Sequence, residues 1–538
     1  MKTLTLVRAA LVPAIGALLL VSCFYSGSRG RRHYAQSRVY TKKAAPASPA
    51  QGPLSQTHPG ERRPAPSTET YDRIVENPFV SAKASPLSTF SIDVDTASYA
   101  NVRRFLTRKV LPPRGAVRIE ELINYFPYKY KPPTGKTPFA VHVETASAPW
   151  NPKHRLVRIG LKGKEVKWSK RPPSNLVFLL DVSGSMGYAN KLPLLKRALR
   201  MLAERLTERD RVTIVVYAGA AGLVLPPTAG NQQEKILGAL KRLSAGGSTN
   251  GGQGIKLAYR MAVSQFIKGG TNRVILATDG DFNVGTTSRS ELLRLVAKKA
   301  KSGVYLTVLG FGMGNYKDAM LEKISNRGDG NYAYIDTVSE ARKVMVEQLT
   351  GTLITIAKDV KIQVEFNPRQ VKSYRLIGYE NRMLRKEDFN NDKKDAGDIG
   401  AGHTVTAIYE LVPAGGVANL PRVDLRYQGE RRSTARAAGD EILHLKLRYK
   451  APKGGKSTKL TFPVKDGGGD FAGATVDFRF AASVAAFGML LRGSAHSGQA
   501  TWPKVLAWAR PGVTAALDPK GYRAEFMRLV AQASRLKR

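Results

Sequence analysis

Three stretches of this chain carry oxygen ligands at spacings that could hold a cation. Asp181-Val182-Ser183-Gly184-Ser185 sets a carboxylate and two hydroxyls at alternate positions. Thr249 follows Gly247-Ser248, and Asp279 follows Thr278. Hydroxyls are neutral hard donors, while carboxylates add charge and orient bound water. Mg²⁺ takes such oxygens at ~2.0–2.1 Å and keeps several waters; Mn²⁺ is the alternative. A further residue stands apart. Cys23 is the single cysteine among 538 residues. One thiol rules out an intramolecular disulfide, a multi-cysteine zinc site and paired-thiol redox catalysis.

The ligands can converge only if the chain brings distant segments to one edge. Residues 176–180 form a fully apolar strand that stops at Asp181, and 273–278 form another that stops at Asp279. Thr249 stands just before a helix predicted over 255–266. Further strands are predicted over 211–217, 304–310 and 331–335. Helices are predicted over 192–206, 232–243, 291–300, 319–325 and 340–356. Apolar strands alternating with helices imply an α/β fold with a doubly wound, mostly parallel sheet, over 175–357. Sites in such sheets lie at the carboxyl ends of the strands. The competing role for the same residues is capping, because Ser, Thr and Asp at helix starts bond backbone N–H groups.

The flanks read differently. Residues 138–168 and 359–463 carry short β-rich runs, each offering few strands alone. Paired, they make one sandwich-like domain beside which the α/β domain is inserted, with its chain ends close together. Residues 74–135 read as a small α/β unit, with a strand over 88–95 and helices over 97–110 and 120–126. Residues 474–538 read as helical.

The amino terminus opens with Lys2 and Arg8 and then runs apolar from Ala9 to Val21. Thirteen residues are too few to span ~30 Å of hydrocarbon, which takes ~20. Residues 1–22 therefore read as a secretory signal. Leu20-Val21-Ser22-Cys23 resembles a lipobox, in which cleavage precedes a lipid-modified cysteine. The resemblance implies a protein exported and anchored by Cys23 to the cell membrane or outer membrane, facing the periplasm or the cell surface. Phe24, rather than Asp, favours the outer membrane. Residues 23–73 are basic and rich in Pro and Ser, the composition of a flexible tether.

The pattern Asp181, Ser183, Ser185, Thr249, Asp279 resembles the metal-ion-dependent adhesion site of the von Willebrand factor type A (VWA) domain. That domain has a Rossmann-like fold. The resemblance implies direct contacts to the metal from Ser183, Ser185 and Thr249, with Asp181 and Asp279 acting directly or through water. The segments 88–99, 388–392 and 485–491 resemble the flanks of bacterial YfbK-type lipoproteins.

Two function classes follow. In the first, the anchored protein binds a protein partner whose carboxylate completes the metal's coordination. In the second, the same ion activates water in a hydrolase. No general base stands beside Ser183 or Ser185 in sequence, so binding is favoured and the chain is read as not an enzyme. A chelatase-type role beside a cytosolic ATPase conflicts with export. Lys and Arg outnumber Asp and Glu by 85 to 42. A net charge of +43 fits either a host-wide basic bias or binding to anionic envelope polymer or headgroups, whereas export leaves no specific nucleic acid partner. Oligomeric state is not legible. Asp93 and Asp95 read as turn ligands, the Asp388–Asp398 cluster as a solvated turn rather than a calcium loop, and 453–457 as no phosphate loop.

Overall fold

The computed structural model describes residues 68–280, 282, 288–417 and 434–537. At its centre lies a six-stranded sheet. Its spatial order is Tyr332–Ile335, Val304–Phe311, Thr271–Thr278, Ser174–Asp181, Arg211–Tyr217 and Ala221–Ala229. The first five strands are parallel, and the last pairs antiparallel with its neighbour. Every residue of Ser174–Asp181 is buried, as expected of a strand covered on both faces. Helices Leu192–Ala203 and Gln233–Arg242 bury their apolar stripes on one face. Gly251–Ser264, Arg289–Lys301 and Asp318–Arg327 cover the other. The chain leaves Ser174–Asp181 toward Arg211–Tyr217 on one side, and Thr271–Thr278 lies on the other. The loops at that carboxyl edge therefore diverge and open a crevice.

The sandwich is two five-stranded sheets. One runs Val80–Ser81, Val371–Ile377, Thr404–Pro413, Asn151–Gly163, Phe139–Ala148, all antiparallel. The other contains Ile399–Gly400, Thr355–Phe366, Glu441–Ala451 and Gly454–Lys465, with Leu87–Ser91 paired to Thr355–Phe366. Val157, Ile159, Leu161, Ile362, Val364, Tyr409 and Leu445 share one core between the sheets. The segments before and after the α/β domain are thus joined directly, Val157 standing opposite Tyr409.

Several expectations need correction. Residues 74–135 have no core of their own. Leu87–Ser91 belongs to the sandwich, and helix Ala97–Thr107 buries Ala97 and Ala100 against the α/β sheet. Its Tyr99, Val102 and Leu106 join helices Val476–Arg492, Trp502–Ala509 and Tyr522–Leu536 in another core. There Phe126 packs edge-on against Phe480 and Phe526. The described residues form one compact unit. The end of the expected tether, residues 68–73, is also not free. Thr68 N and Thr70 N donate to Gly314 O and Tyr316 O at 2.7 and 2.9 Å. Glu69 accepts from both Nη atoms of Arg104 at 2.8 Å. The single helix expected over 340–356 is broken into Val338–Arg342, a π turn over Lys343–Glu347, and Leu349–Leu353; strand Thr355–Phe366 then begins. Within the π turn the buried Lys343 Nζ donates to Tyr125 O at 2.7 Å. Strands Ala221–Ala229 and Val371–Ile377 were not foreseen. The first carries Pro226-Pro227, tolerated because it is an edge strand.

Cys23 and the proposed signal lie outside the described residues. Among the described residues no helix is long and apolar enough to cross a membrane.

Candidate metal centre

The apolar strand Ser174–Asp181 delivers Asp181 to the crevice edge, fully buried. Its Oδ1 accepts from Ser183 N at 2.9 Å. Its Oδ2 accepts from the Tyr217 hydroxyl at 3.1 Å and the Thr278 hydroxyl at 3.2 Å. The Ser183 N–H bond turns the chain at the strand end and brings the two serines together. Ser183 Oγ and Ser185 Oγ stand 3.1 Å apart. Ser185 Oγ donates to Asp279 Oδ2 at 2.6 Å. Four of the five expected ligands therefore form one connected group.

Thr249 lies on the adjoining loop and takes part in none of those bonds. The loop is fastened by its backbone. Gly184 N donates to Gly247 O at 3.0 Å, Gly246 N to Val182 O at 2.8 Å, and Asn250 N to Ala218 O at 2.7 Å. Thr249 is thus held beside the serines without being locked to them, half-buried just ahead of helix Gly251–Ser264.

Asp279 is placed by Gly280, whose φ of +102° disfavours any L side chain. A Cβ there would lie 2.6 Å from Tyr316 Cα. Asp281, the next acidic residue, lies outside the described residues. Burial raises the Asp181 carboxyl to about 6, against hydrogen bonds from Ser183 that pull it down, with the nearby Asp279 charge adding to the rise. A cation between the two carboxylates would relieve that cost.

The donor set decides which ion it suits. Among the described residues no three His, Cys, Asp or Glu side chains surround a common point. The site instead offers two carboxylates and two serine hydroxyls, all hard oxygens, with Thr249 beside them. Such donors fit Mg²⁺ or Mn²⁺ and leave positions for water or a ligand oxygen.

Sequence reasoning missed Lys191. Its Nζ donates to Asp279 Oδ2 at 2.7 Å, and the side chain is 5% exposed. The readable signal was a lone cation between the Ser-x-Ser motif and the apolar helix Leu192–Ala203. Asn315, whose Nδ2 stands 3.5 Å from Asp279 Oδ1, carried no signal, because the Gly312–Lys317 loop joins the site only in three dimensions.

The weaker motifs resolve without ligands. Asp93 and Asp95 pair with Arg382 at 3.0 and 3.2 Å, and Asp95 Oδ1 accepts from Tyr332 N. Asp392 accepts from Ser457 Oγ at 2.6 Å, fastening the 388–398 turn to the hairpin that contains Lys453.

Comparison with known proteins covers nearly the whole described chain. The family profile described as "von Willebrand factor type A domain" matches residues 175–349, and one described as "von Willebrand factor" matches 65–158. A third, "Uncharacterized protein YfbK, C-terminal", matches 351–536. The Escherichia coli (strain K12) "Uncharacterized protein YfbK" is 45% identical over 475 residues, 87% of this chain and 81% of that one. The human "Inter-alpha-trypsin inhibitor heavy chain H4" is 32% identical over 163 residues, 28% of this chain and 17% of that one. Among solved structures, "von Willebrand factor type A from Catenulispora acidiphila" is 15% identical, covering 75% of this chain and 91% of that one with a TM-score of 0.39.

Proposed function

Since this chain belongs to the YfbK family of proteins built around a von Willebrand factor type A domain, we propose that it captures a protein partner through a divalent metal. The observation that carries this reading is the bonded group Asp181–Ser183–Ser185–Asp279 at the switch point of the sheet. A Mg²⁺ or Mn²⁺ ion there supplies a Lewis-acidic position for an anionic oxygen, most simply a Glu or Asp carboxylate of the partner. Ser183 and Ser185 serve as neutral donors and Thr249 as a third. Asp181 stays fixed by Tyr217 and Thr278, so the serines are preorganised. The basic chain attracts an acidic partner and makes the encounter rate salt-sensitive.

In this reading Cys23 carries the lipid and the body works at the cell envelope. Each buried CH₂ of the acyl chains adds about 0.8 kcal/mol of membrane affinity. Cys23→Ala should incorporate no labelled fatty acid. Unchanged labelling defeats the anchor.

The decisive experiment is cation-dependent pull-down from envelope extract. Capture should disappear in EDTA, return with Mg²⁺ or Mn²⁺, and weaken in Thr249→Ala with the melting temperature unchanged. Undiminished capture in both conditions means that another surface binds.

A further inference from the structure

Lys191 is not an ordinary surface lysine. It stands at the start of helix Leu192–Ala203, is 4% exposed, and donates to Asp279 Oδ2. Its aliphatic stem is packed against the backbone of Gly312, where φ is +73° and any Cβ would collide with Lys191 Cε, Cγ and Cδ. Gly312 is itself held, because its carbonyl accepts from the Tyr334 hydroxyl. The face of Tyr188 stands 5.5 Å from the ammonium on the other side. The ammonium is therefore aimed at the metal centre by packing and has little freedom to swing into solvent.

The oxygen it binds is already shared. Asp279 Oδ2 accepts from Ser185 Oγ at 2.6 Å and from Lys191 Nζ at 2.7 Å. A divalent ion drawing on that carboxylate competes with these donors for its charge and lone pairs. Charge points the same way. Asp181 and Asp279 together offer two negative charges, and Lys191 cancels one.

Resting on the metal-dependent reading above, we propose that Lys191 is a built-in rival of the divalent cation. Its ammonium satisfies Asp279 when no metal is bound and keeps the site's affinity low, so occupancy follows the ambient Mg²⁺ concentration instead of being permanent. The same contact gives the buried carboxylate a cationic partner when the metal leaves. Partner capture would then be graded by external divalent cation. A unit charge a few ångströms from the ion, at the effective dielectric of a protein surface, is worth on the order of 10- to 100-fold in affinity once solvent screening is allowed for.

The test needs no partner. Mn²⁺ binding to the full chain is titrated by the paramagnetic resonance signal of free Mn²⁺, and Mg²⁺ binding by calorimetry and by the shift in melting temperature. Lys191→Met is expected to bind Mn²⁺ 10- to 100-fold more tightly than the natural chain. It should melt lower without metal and gain more from saturating Mg²⁺. Lys191→Arg keeps the charge and should stay within a few-fold of the natural chain; if the Met variant does not fold, Lys191→Gln takes its place. Unchanged or weaker affinity in the neutral variants overturns the proposal while leaving the metal site standing. No binding in the natural chain and in the neutral variants removes the metal reading itself. Ser183→Ala/Ser185→Ala in the Lys191→Met background should abolish the gain, and a gain that survives places the ion elsewhere and also overturns it.

Discussion

Arg103 Nη2 donates to Glu340 Oε2 at 2.7 Å, tying the helix Ala97–Thr107 to the last helical stretch of the α/β domain. The same guanidinium reaches Asp336 through Nε at 2.8 Å, and Glu525 of the carboxyl-terminal helix through Nη1 at 3.0 Å. Burial alone would raise the Glu340 carboxyl, but Arg103 and Lys343 beside it hold it below the usual range. Three parts of the chain distant in sequence thus meet on one side chain.

Arg103→Ala should therefore be severely destabilising. It leaves buried Asp336 without its cation and Glu340 with Lys343 alone, a change worth about 3–5 kcal/mol. A urea titration should show a lower midpoint, with the α/β sheet and the carboxyl-terminal helices unfolding together. A shift below about 1 kcal/mol, the range of an exposed pair, contradicts the assignment.

Gly280→Ala should weaken metal binding through the backbone. The new methyl must push against Tyr316 or rotate the chain out of φ +102°, and Asp279 moves with it. The strain is on the order of 1–3 kcal/mol. Mn²⁺ affinity should fall well beyond what the modest loss in melting temperature accounts for.

Asp398 gives a pH dependence of definite sign. Burial lifts its carboxyl to about 8; Lys358 and the Asp359 N–H oppose the shift, and the Asp329 and Asp359 charges reinforce it. Arg273 and Asp395 border the same cavity, and the neighbouring Asp395 is lifted to about 6. Between the unfolded value, ~3.9, and about 8, the folded protein keeps a proton that the unfolded chain has released. This group therefore makes stability fall as pH rises through that window. Asp398→Asn keeps the acceptor for Asp359 N and removes the titration. Its melting temperature should exceed that of the natural chain by several degrees at pH 8 and converge with it near pH 4. Equal gains at both pH values would sink the idea.

Glu69→Gln should loosen the strap formed by residues 68–71 while leaving the body folded. The substitution removes the charge that Arg104 pairs with in a buried setting and weakens acceptance from Gly314 N, now 2.8 Å. Amide exchange over 68–73 and 312–317 should speed up together, with the sandwich strands unaffected. Faster exchange in only one of the two segments would mean that they are not coupled.

Much of this architecture was readable. Strands such as Ser174–Asp181 and Arg211–Tyr217 are continuous apolar runs, and their burial on both faces is what that pattern demands. The meeting of Asp181, Ser183, Ser185 and Asp279 was readable because Asp181 and Asp279 end apolar runs and the serines follow Asp181 directly. Less readable was anything decided by contact across the fold. Helix Ala97–Thr107 looks like a small amphipathic element, yet Ala97 and Tyr99 enter different cores. Glu69 looks like tether until Arg104 and Gly314 are beside it. Lys191 looks like one charge among 85 Lys and Arg until the Gly312 backbone and Asp279 enclose it.

The strap at Thr68–Thr70 also sets how the molecule would carry load. It hydrogen-bonds to Gly314 and Tyr316, in the same loop whose Asn315 faces Asp279. Tension applied at Thr68 would enter the folded body there, close to the Asp181–Ser185–Asp279 group. The force path is short and local. It runs first through the Gly312–Lys317 loop and the Glu69–Arg104 clamp. A strap held by two backbone hydrogen bonds and one ion pair would peel before the six-stranded sheet yields.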